Sequence, residues 1–240
     1  MKTDLHHCYV LHSRPYRETS LLLDILSSQF GCLRLVAKGV KRPRNYKSVL
    51  LQPGIRLMLA WSQRGSLGTL TEVEDTGKRF SLHGNKVISC FYMNELLIRM
   101  LHADEPHQEI FEIYQQALND LEKGIDEQKI LRIFEKNLLQ ELGYGLVLDH
   151  ETATGEQIDS EKEYFYVMDR GPCLENLQTN QSIKISGRAL TALRLNQEWN
   201  GEIARETKLL LRMVLKSHAG DKPFGSRELY RAYLQNVKGS

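Results

Sequence analysis

The spacing of apolar residues along the chain changes near residue 80. Before that point, apolar residues alternate with polar ones or form short runs, and glycine or proline separates the runs. This pattern predicts five strands: Cys8–Leu11 (ending at the Arg14–Pro15 break), Thr19–Leu26, Cys32–Ala37, Ile55–Trp61 and Leu67–Val73. Five short strands in so few residues favour a small closed barrel, either an OB-fold or another barrel such as an SH3-like one.

Beyond residue 84, apolar residues recur every three or four positions, which predicts amphipathic helices. We expect Asp126 and Ser186 to cap two of these helices, and Ser226 to cap the last one, Arg227–Val237. Residues 146–185 are irregular and predict a small hairpin-bearing module. The chain is therefore predicted to be α+β, with a β-barrel domain at 1–80 and a mainly helical domain at 81–240 that includes the module.

The composition is that of a globular protein, with 41% hydrophobic and 26% charged residues. No apolar run approaches the roughly 20 residues that a membrane-spanning helix needs. The N-terminal residues lack the uninterrupted apolar core of a secretory signal. We therefore expect a cytoplasmic protein without a membrane partner.

The charges are distributed unevenly between the two predicted domains. Residues 1–80 carry thirteen Lys or Arg and six Asp or Glu, whereas residues 81–240 carry nineteen and twenty-four. The segment Leu33–Lys47 alone holds six cations and one aromatic residue, Tyr46. A strand followed by a basic loop suits a polyanion, although a solvated loop without function explains the charge run equally well. We expect a polyanion partner in this part of the chain and not elsewhere.

The sequence shows none of the common motifs of catalysis or metal binding that we searched for. The sequence has no nucleophile elbow, no phosphate-binding loop and no paired zinc-ligand motif. Its four cysteines are scattered, which favours reduced thiols. These residues therefore predict no cofactor or metal site, while an active site built from residues distant in sequence stays open at this point.

Several segments resemble the RecO family of bacterial recombination mediators. They are VLHSRPYRETSLLLDIL (Val10–Leu26), GCLRLVAKGVKRPR (Gly31–Arg44), the region Leu51–Leu70, MNELLIRML (Met93–Leu101), LRIFEKNLLQELGYG (Leu131–Gly145) and GDKPFGSREL (Gly220–Leu229). The resemblance implies an N-terminal OB-fold, a helical C-terminal domain and a zinc-ribbon-like module between them. Some members bind zinc there through four cysteines, but here Cys173 is the one cysteine of that region, so we expect the module to lack metal ligands.

The resemblance also implies partners. They are single- and double-stranded DNA, the C-terminal tail of the single-stranded-DNA-binding protein, the RecR protein and, indirectly, RecA. The implied function is non-enzymatic: it is DNA repair and recombination at the nucleoid, by annealing complementary strands and helping to load RecA onto coated DNA.

Candidate site residues follow from the basic segment and the resemblance together. DNA contacts are predicted for Arg14, Arg17, Arg34, Lys38, Lys41, Arg42, Arg44, Tyr46 and Lys47. Arg132, beside Leu131 and Phe134, is the main candidate for binding the acidic tail. A second basic group is expected either to extend the DNA surface, to receive an acidic partner or to remain solvated; it consists of Lys216, Lys222, Arg227 and Arg231.

Two alternative functions stay open. The basic N-terminal part suits an OB-fold protein that binds RNA or the ribosome equally well. A nucleic-acid-processing enzyme with an active site assembled from distant residues is the other alternative.

Overall fold

The structure is a computed structural model that describes residues 2–42, 46–103, 105–175, 182–197 and 199–238. Contacts divide the chain into two compact units. The barrel unit comprises Met1–Lys123 and Lys222–Ser240, and the second unit comprises Gly124–Asp221. The domain boundary that we place near residue 80 stays a prediction. Within the described residues, no helix is both long and apolar enough to cross a bilayer.

The first five strands of the barrel unit close into a barrel in the order β1-β2-β3-β5-β4. Their bounds are β1 His6–Tyr16, β2 Ser20–Ser27, β3 Gly31–Ala37, β4 Ile55–Arg64 and β5 Leu67–Arg79. Neighbouring strands are antiparallel except β3 and β5, which are parallel. The predicted OB-fold is confirmed. Alternate residues point inward, and Leu23, Leu35 and Trp61 are fully buried in the barrel core.

The predicted end of the first strand at Arg14–Pro15 is wrong, because β1 continues to Tyr16. Pro15 pairs with Leu21 of β2, whereas the pairing of β1 with β4 covers His6 to Tyr9. At Pro15 the other side of β1 is therefore unpaired in this register. A proline without an N–H group is tolerated in a strand at such an edge.

In the described part of the barrel unit, four helices accompany the strands: α1 Lys47–Leu50, α2 Asn85–Met100, α3 Gln108–Lys123 and α7 Gly225–Lys238. The ladder of β1 and β2 shifts register between Val10 and His12. The carbonyl oxygen of Leu11, at this bulge, accepts a 2.9 Å hydrogen bond from Asn94 of α2. Asn94 in turn accepts a 2.6 Å hydrogen bond from the hydroxyl of Tyr114 on α3. The bulge thus supplies the backbone acceptor that fixes two helices to the barrel.

The start of α7 is held by α2. The carboxylate of Glu95 accepts hydrogen bonds from the backbone N–H groups of Gly225 (3.1 Å) and Ser226 (3.2 Å) and from the Ser226 hydroxyl (3.2 Å). The guanidinium of Arg99 donates to the carbonyl oxygens of residues 222 and 223 and lies 4.1 Å from the centre of the Phe224 ring. Because α7 begins at Gly225, Ser226 lies inside its first turn, and its hydroxyl donates to Glu95. Our prediction that Ser226 caps the helix is wrong.

The second unit contains α4 Glu127–Glu141, α5 Gly187–Leu195 and α6 Gly201–Ala219, with a three-stranded antiparallel sheet. The sheet has the order β7-β6-β8, and its strands are β6 Glu163–Val167, β7 Gly171–Cys173 and β8 Ser182–Ser186. The predicted caps are confirmed for α4, where Asp126 accepts from the Lys129 N–H group, and for α5, where Ser186 accepts from the Ala189 N–H group.

The chain before β6 turns around the buried carboxylate of Glu151. This carboxylate accepts hydrogen bonds from the backbone N–H groups of Ala153 (3.0 Å) and Thr154 (2.6 Å) and from the Thr154 hydroxyl (2.8 Å). Burial acts to raise the pKa of Glu151, but these hydrogen bonds outweigh it and lower the pKa. A charged carboxylate therefore organises this turn. Across the described ranges, no cluster of three or more His, Cys, Asp or Glu is placed to hold a metal ion.

Candidate nucleic-acid interface

Two arginines lie where β1 ends and turns into β2. Arg14 is exposed near the end of β1, and its register partner Leu22 pairs with Val36 of β3. Arg17 is exposed in the turn, with a positive φ of 54° and its guanidinium carbon 5.4 Å from the centre of the Tyr16 ring. Left-handed backbone is uncommon for arginine. The strand register places these residues at the end of the sheet where the basic loop leaves β3.

The loop after β3 is anchored to the barrel at Val40 and Lys41, between Lys38 and Arg42. Val40 is 2% exposed and packs into the barrel core. The backbone N–H group of Lys41 donates a 3.0 Å hydrogen bond to the carbonyl oxygen of Thr19, in the turn that carries Arg17. Consequently the loop and the β1–β2 turn lie side by side, and Lys38, Lys41 and Arg42 are exposed. We call Arg14, Arg17, Lys38, Lys41 and Arg42 the barrel basic surface.

The short helix α1 follows this loop and presents apolar side chains to solvent. Leu50 and Leu51 are buried in the barrel core and fix the helix. Tyr46 is 65% exposed, and Val49, three residues later, is 60% exposed. Residues three apart on a helical turn share a face. The basic loop therefore leads to a pair of fixed, solvent-facing apolar side chains.

The five cations of the barrel basic surface take part in no ion pair among the residues that the structure describes. Their charge is offset nearby by the exposed Glu18 in the β1–β2 turn. Arg34 differs from them, because its Nε atom lies 2.8 Å from a carboxylate oxygen of Asp24. Lys47 is half-buried in α1. Arg44 lies outside the described residues.

The structure does not present Arg132 as an exposed cation. Arg132 is 7% exposed on α4, and its guanidinium lies 2.7 Å from the carboxylate of Glu135, which is 0% exposed. An acidic tail would have to reach a buried guanidinium that is already paired with a carboxylate. The role of Arg132 in tail binding stays a prediction.

The second predicted basic group is divided between the two units. Lys216, on α6 of the second unit, forms a 3.3 Å ion pair with Asp221. Lys222, Arg227 and Arg231 belong to the barrel unit and are exposed at α7 or just before it. The guanidinium of Arg227 lies 5.4 Å from the centre of the Phe224 ring, so Arg227 also helps to cover the start of α7. Binding roles for these four residues stay predictions.

One part of this site was missed by sequence reasoning. Val49 lies in the short apolar run Val49–Leu51, which the strand pattern left unassigned. The sequence around this run is polar and basic, which favours a single helical turn with one face exposed, and this pattern could have indicated the exposure of Val49.

A five-stranded OB-fold barrel with exposed cations and an aromatic beside one loop defines a class of protein that binds nucleic acids or oligosaccharides. Comparison with known families narrows this class. The family model described as "Recombination protein O N terminal" matches residues 1–79, and "Recombination protein O C terminal" matches residues 82–228. The chain belongs to the RecO family and has a role in DNA repair and recombination.

Individual relatives agree with the family models along almost the whole chain. The DNA repair protein RecO of Nitrosococcus oceani is 42% identical over 229 residues, which cover 95% of this chain and 93% of the relative. The protein of the same name from Nitrosospira multiformis is 38% identical, covering 95% and 94%. That of Photobacterium profundum is 35% identical, covering 97% and 98%.

Proposed function

We propose that this chain binds DNA through the barrel basic surface and acts by binding, not by catalysis. The observation that carries the proposal is the joining of two separate basic segments by the hydrogen bond from Lys41 to Thr19. It gathers exposed cations from the β1–β2 turn and the β3 loop at one end of the barrel. Such a group neutralises phosphates without reading sequence, which suits a repair protein that must act on any DNA.

Tyr46 and Val49 give this surface a preference for single strands. Unpaired bases expose a ring face that stacks on an aromatic side chain, whereas bases in a duplex are already stacked on one another. Because α1 is fixed by its buried leucines, little conformational freedom is lost when a base stacks on Tyr46. Duplex DNA is held by the cations alone and therefore more weakly.

The wider activity follows from the family. We propose that the chain anneals complementary strands at the nucleoid, also when these are coated by single-stranded-DNA-binding protein. In this proposal it engages the acidic tail of that protein and RecR, and thereby helps to load RecA. These steps are supported by membership of the RecO family.

The salt dependence of binding tests the electrostatic part. Fluorescence anisotropy with labelled oligothymidine gives the affinity at several salt concentrations. Replacing Lys38, Lys41 and Arg42 by Gln removes three contacts and is expected to flatten the log–log slope by about 2, since each contact to a single strand contributes about 0.7.

A matched control removes the same charge from exposed residues that are already paired. Lys162, Lys184 and Arg188 of the second unit form ion pairs with Asp159, Glu163 and Glu161. Their replacement by Gln is expected to leave the slope unchanged. An equal effect of both triple variants would show a response to net charge alone and would remove the barrel basic surface from the DNA site.

Tyr46→Ala tests the stacking part. Loss of one stacked base is expected to weaken binding to oligothymidine by about 1–3 kcal/mol, roughly five- to 150-fold, and to leave duplex binding unchanged. Tyr46→Phe retains a ring face and serves as the control. Tighter binding of RNA than of single-stranded DNA by the unaltered protein would instead favour an RNA-binding function.

A further inference from the structure

The helix α6 of the second unit carries a regular row of cations. Arg205, Lys208, Arg212 and Lys216 follow one another at intervals of three, four and four residues. This spacing places all four on one face of the helix, with successive charges about one turn apart. All four are exposed. We call these residues the α6 ridge.

Most of this charge is not neutralised within the protein. Among the residues that the structure describes, Lys216 has an ion pair with Asp221, whereas Arg205, Lys208 and Arg212 are in none. Of the acids on α6 itself, Glu206 accepts hydrogen bonds from the Ser186 backbone and hydroxyl. The carboxylate of Glu206 is thus hydrogen-bonded to neutral groups, while the neighbouring Arg205 and Lys208 are exposed to solvent.

Most of this row of cations does not stabilise the helix. Like charges three or four positions apart on a helix repel one another. The helix dipole favours cations in the last turn, which accounts for Lys216 but not for Arg205 and Lys208, which lie further toward the N-terminal end. Residues 124–221 hold twelve Lys or Arg against sixteen Asp or Glu, so a third of the cations of an acidic unit lie on one helix face.

We propose that the α6 ridge is a second nucleic-acid site, which binds the sugar–phosphate backbone of a strand and goes beyond the site on the barrel. Cations repeated at each turn suit a polymer that carries a charge on every unit. The exposed face of a helix is convex, whereas an acidic peptide with apolar side chains is held in a groove. Leu209, 49% exposed at the edge of the ridge, is the apolar side chain next to these cations on α6. A protein with two backbone sites can hold two strands at once.

Lysine footprinting tests the proposal directly. The intact protein is acetylated with and without oligothymidine, and modification of each lysine is measured by mass spectrometry. We expect protection of Lys208 by the oligonucleotide. Lys162, exposed in the same unit and 4.0 Å from Asp159, is the internal control and is expected to react equally in both samples.

The same experiment separates the two sites. Protection of Lys38 and Lys41 reports the barrel basic surface, so protection there without protection of Lys208 would overturn the ridge and leave the proposed function standing. Protection of Lys208 by polyglutamate but not by oligothymidine would also overturn it, in favour of a protein partner.

A triple variant supplies the functional readout. Arg205→Gln, Lys208→Gln and Arg212→Gln alter exposed side chains and are expected to leave the melting temperature unchanged. Strand annealing is expected to slow at least tenfold, while the charge-matched variant of Lys162, Lys184 and Arg188 anneals at the original rate. Annealing at the original rate in the ridge variant would refute the second site.

Discussion

Replacing Arg132 by alanine is expected to destabilise the second unit. The guanidinium of Arg132 lies 2.7 Å from the carboxylate of Glu135, one turn further along α4. Both side chains are buried, and Glu135 has no exposed surface. Because alanine is the best helix former, any loss of stability in this variant comes from the ion pair and its packing and not from helix propensity.

The size of the effect follows from the burial of Glu135. Removing one partner of a buried ion pair typically costs about 3–5 kcal/mol, because the remaining charge has lost both water and its counter-charge. Glu135 has a further interaction beside that with Arg132, so we expect a value near the lower end, about 3 kcal/mol. This is a large fraction of the roughly 5–15 kcal/mol that stabilises a typical domain.

The assay is urea unfolding of the full chain, combined with amide hydrogen exchange of α4 measured by mass spectrometry. Gln128→Ala changes an exposed residue of the same helix and is the control. The double variant Arg132→Leu with Glu135→Leu removes both charges and is expected to recover most of the lost stability. If Arg132→Ala leaves exchange and unfolding unchanged and weakens only the binding of an acidic peptide, the reasoning from burial is refuted.

Three further changes test the barrel unit. Burial acts to raise the pKa of Glu95, but hydrogen bonds from two backbone amides of α7 and from an arginine outweigh it and lower the pKa. The charged carboxylate of Glu95 therefore stabilises the fold fully above about pH 4.3, the ordinary pKa of glutamate. This stabilisation is lost as the pH falls through the lower pKa of the folded protein. The difference in melting temperature between the unaltered protein and Glu95→Gln should accordingly be constant near neutral pH and close in acid, and a difference that widens in acid would contradict this sign. Gly31→Ala would place a Cβ atom 1.8 Å from the backbone oxygen of Glu105, so urea unfolding should show a loss of more than about 2 kcal/mol in the free energy of unfolding. Gly65→Ala is the control, because Gly65 shares the positive φ but has no neighbouring atom within 4 Å, and it should lose less stability. Asn94→Ala removes the amide that joins the β1 bulge to a buried tyrosine and should cost about 1–3 kcal/mol in the same assay; an unchanged unfolding midpoint would show that the network adds no net stability.

The sequence predicted the barrel strands well because their inward positions are apolar at every second residue. It underestimated β5, which we end at Val73 and which continues to Arg79. Residues beyond Val73 are polar and exposed, and their strand conformation comes from pairing with β4, for example Asp75 with Leu57. Backbone pairing of this kind leaves no hydrophobic pattern to detect.

The burial of Arg132 was hidden for a related reason. The apolar stripe of α4 passes through Ile130, Phe134 and Leu138, and Arg132 lies on nearly the opposite face of the helix. The buried surface of α4 is wider than this stripe and includes both members of the ion pair. A polar residue that is buried by virtue of its partner has the same sequence pattern as an exposed one, so spacing does not separate the two cases.

Net charge also hid a feature of the surface, in this case a row of exposed cations and not a buried one. The net charges of the two parts of the chain led us to expect a polyanion partner in the N-terminal part alone. Net charge averages over every face of a unit, whereas a partner contacts one face. Cations that lie within a Debye length of one another, roughly 8 Å, attract a partner together. The cations of α6 are diluted in the sequence by the apolar residues that face the core, and the helical period brings them together. An acidic unit can therefore present a locally basic surface, so the partner of each unit depends on the charge of the face that it presents and not on the net charge of the unit.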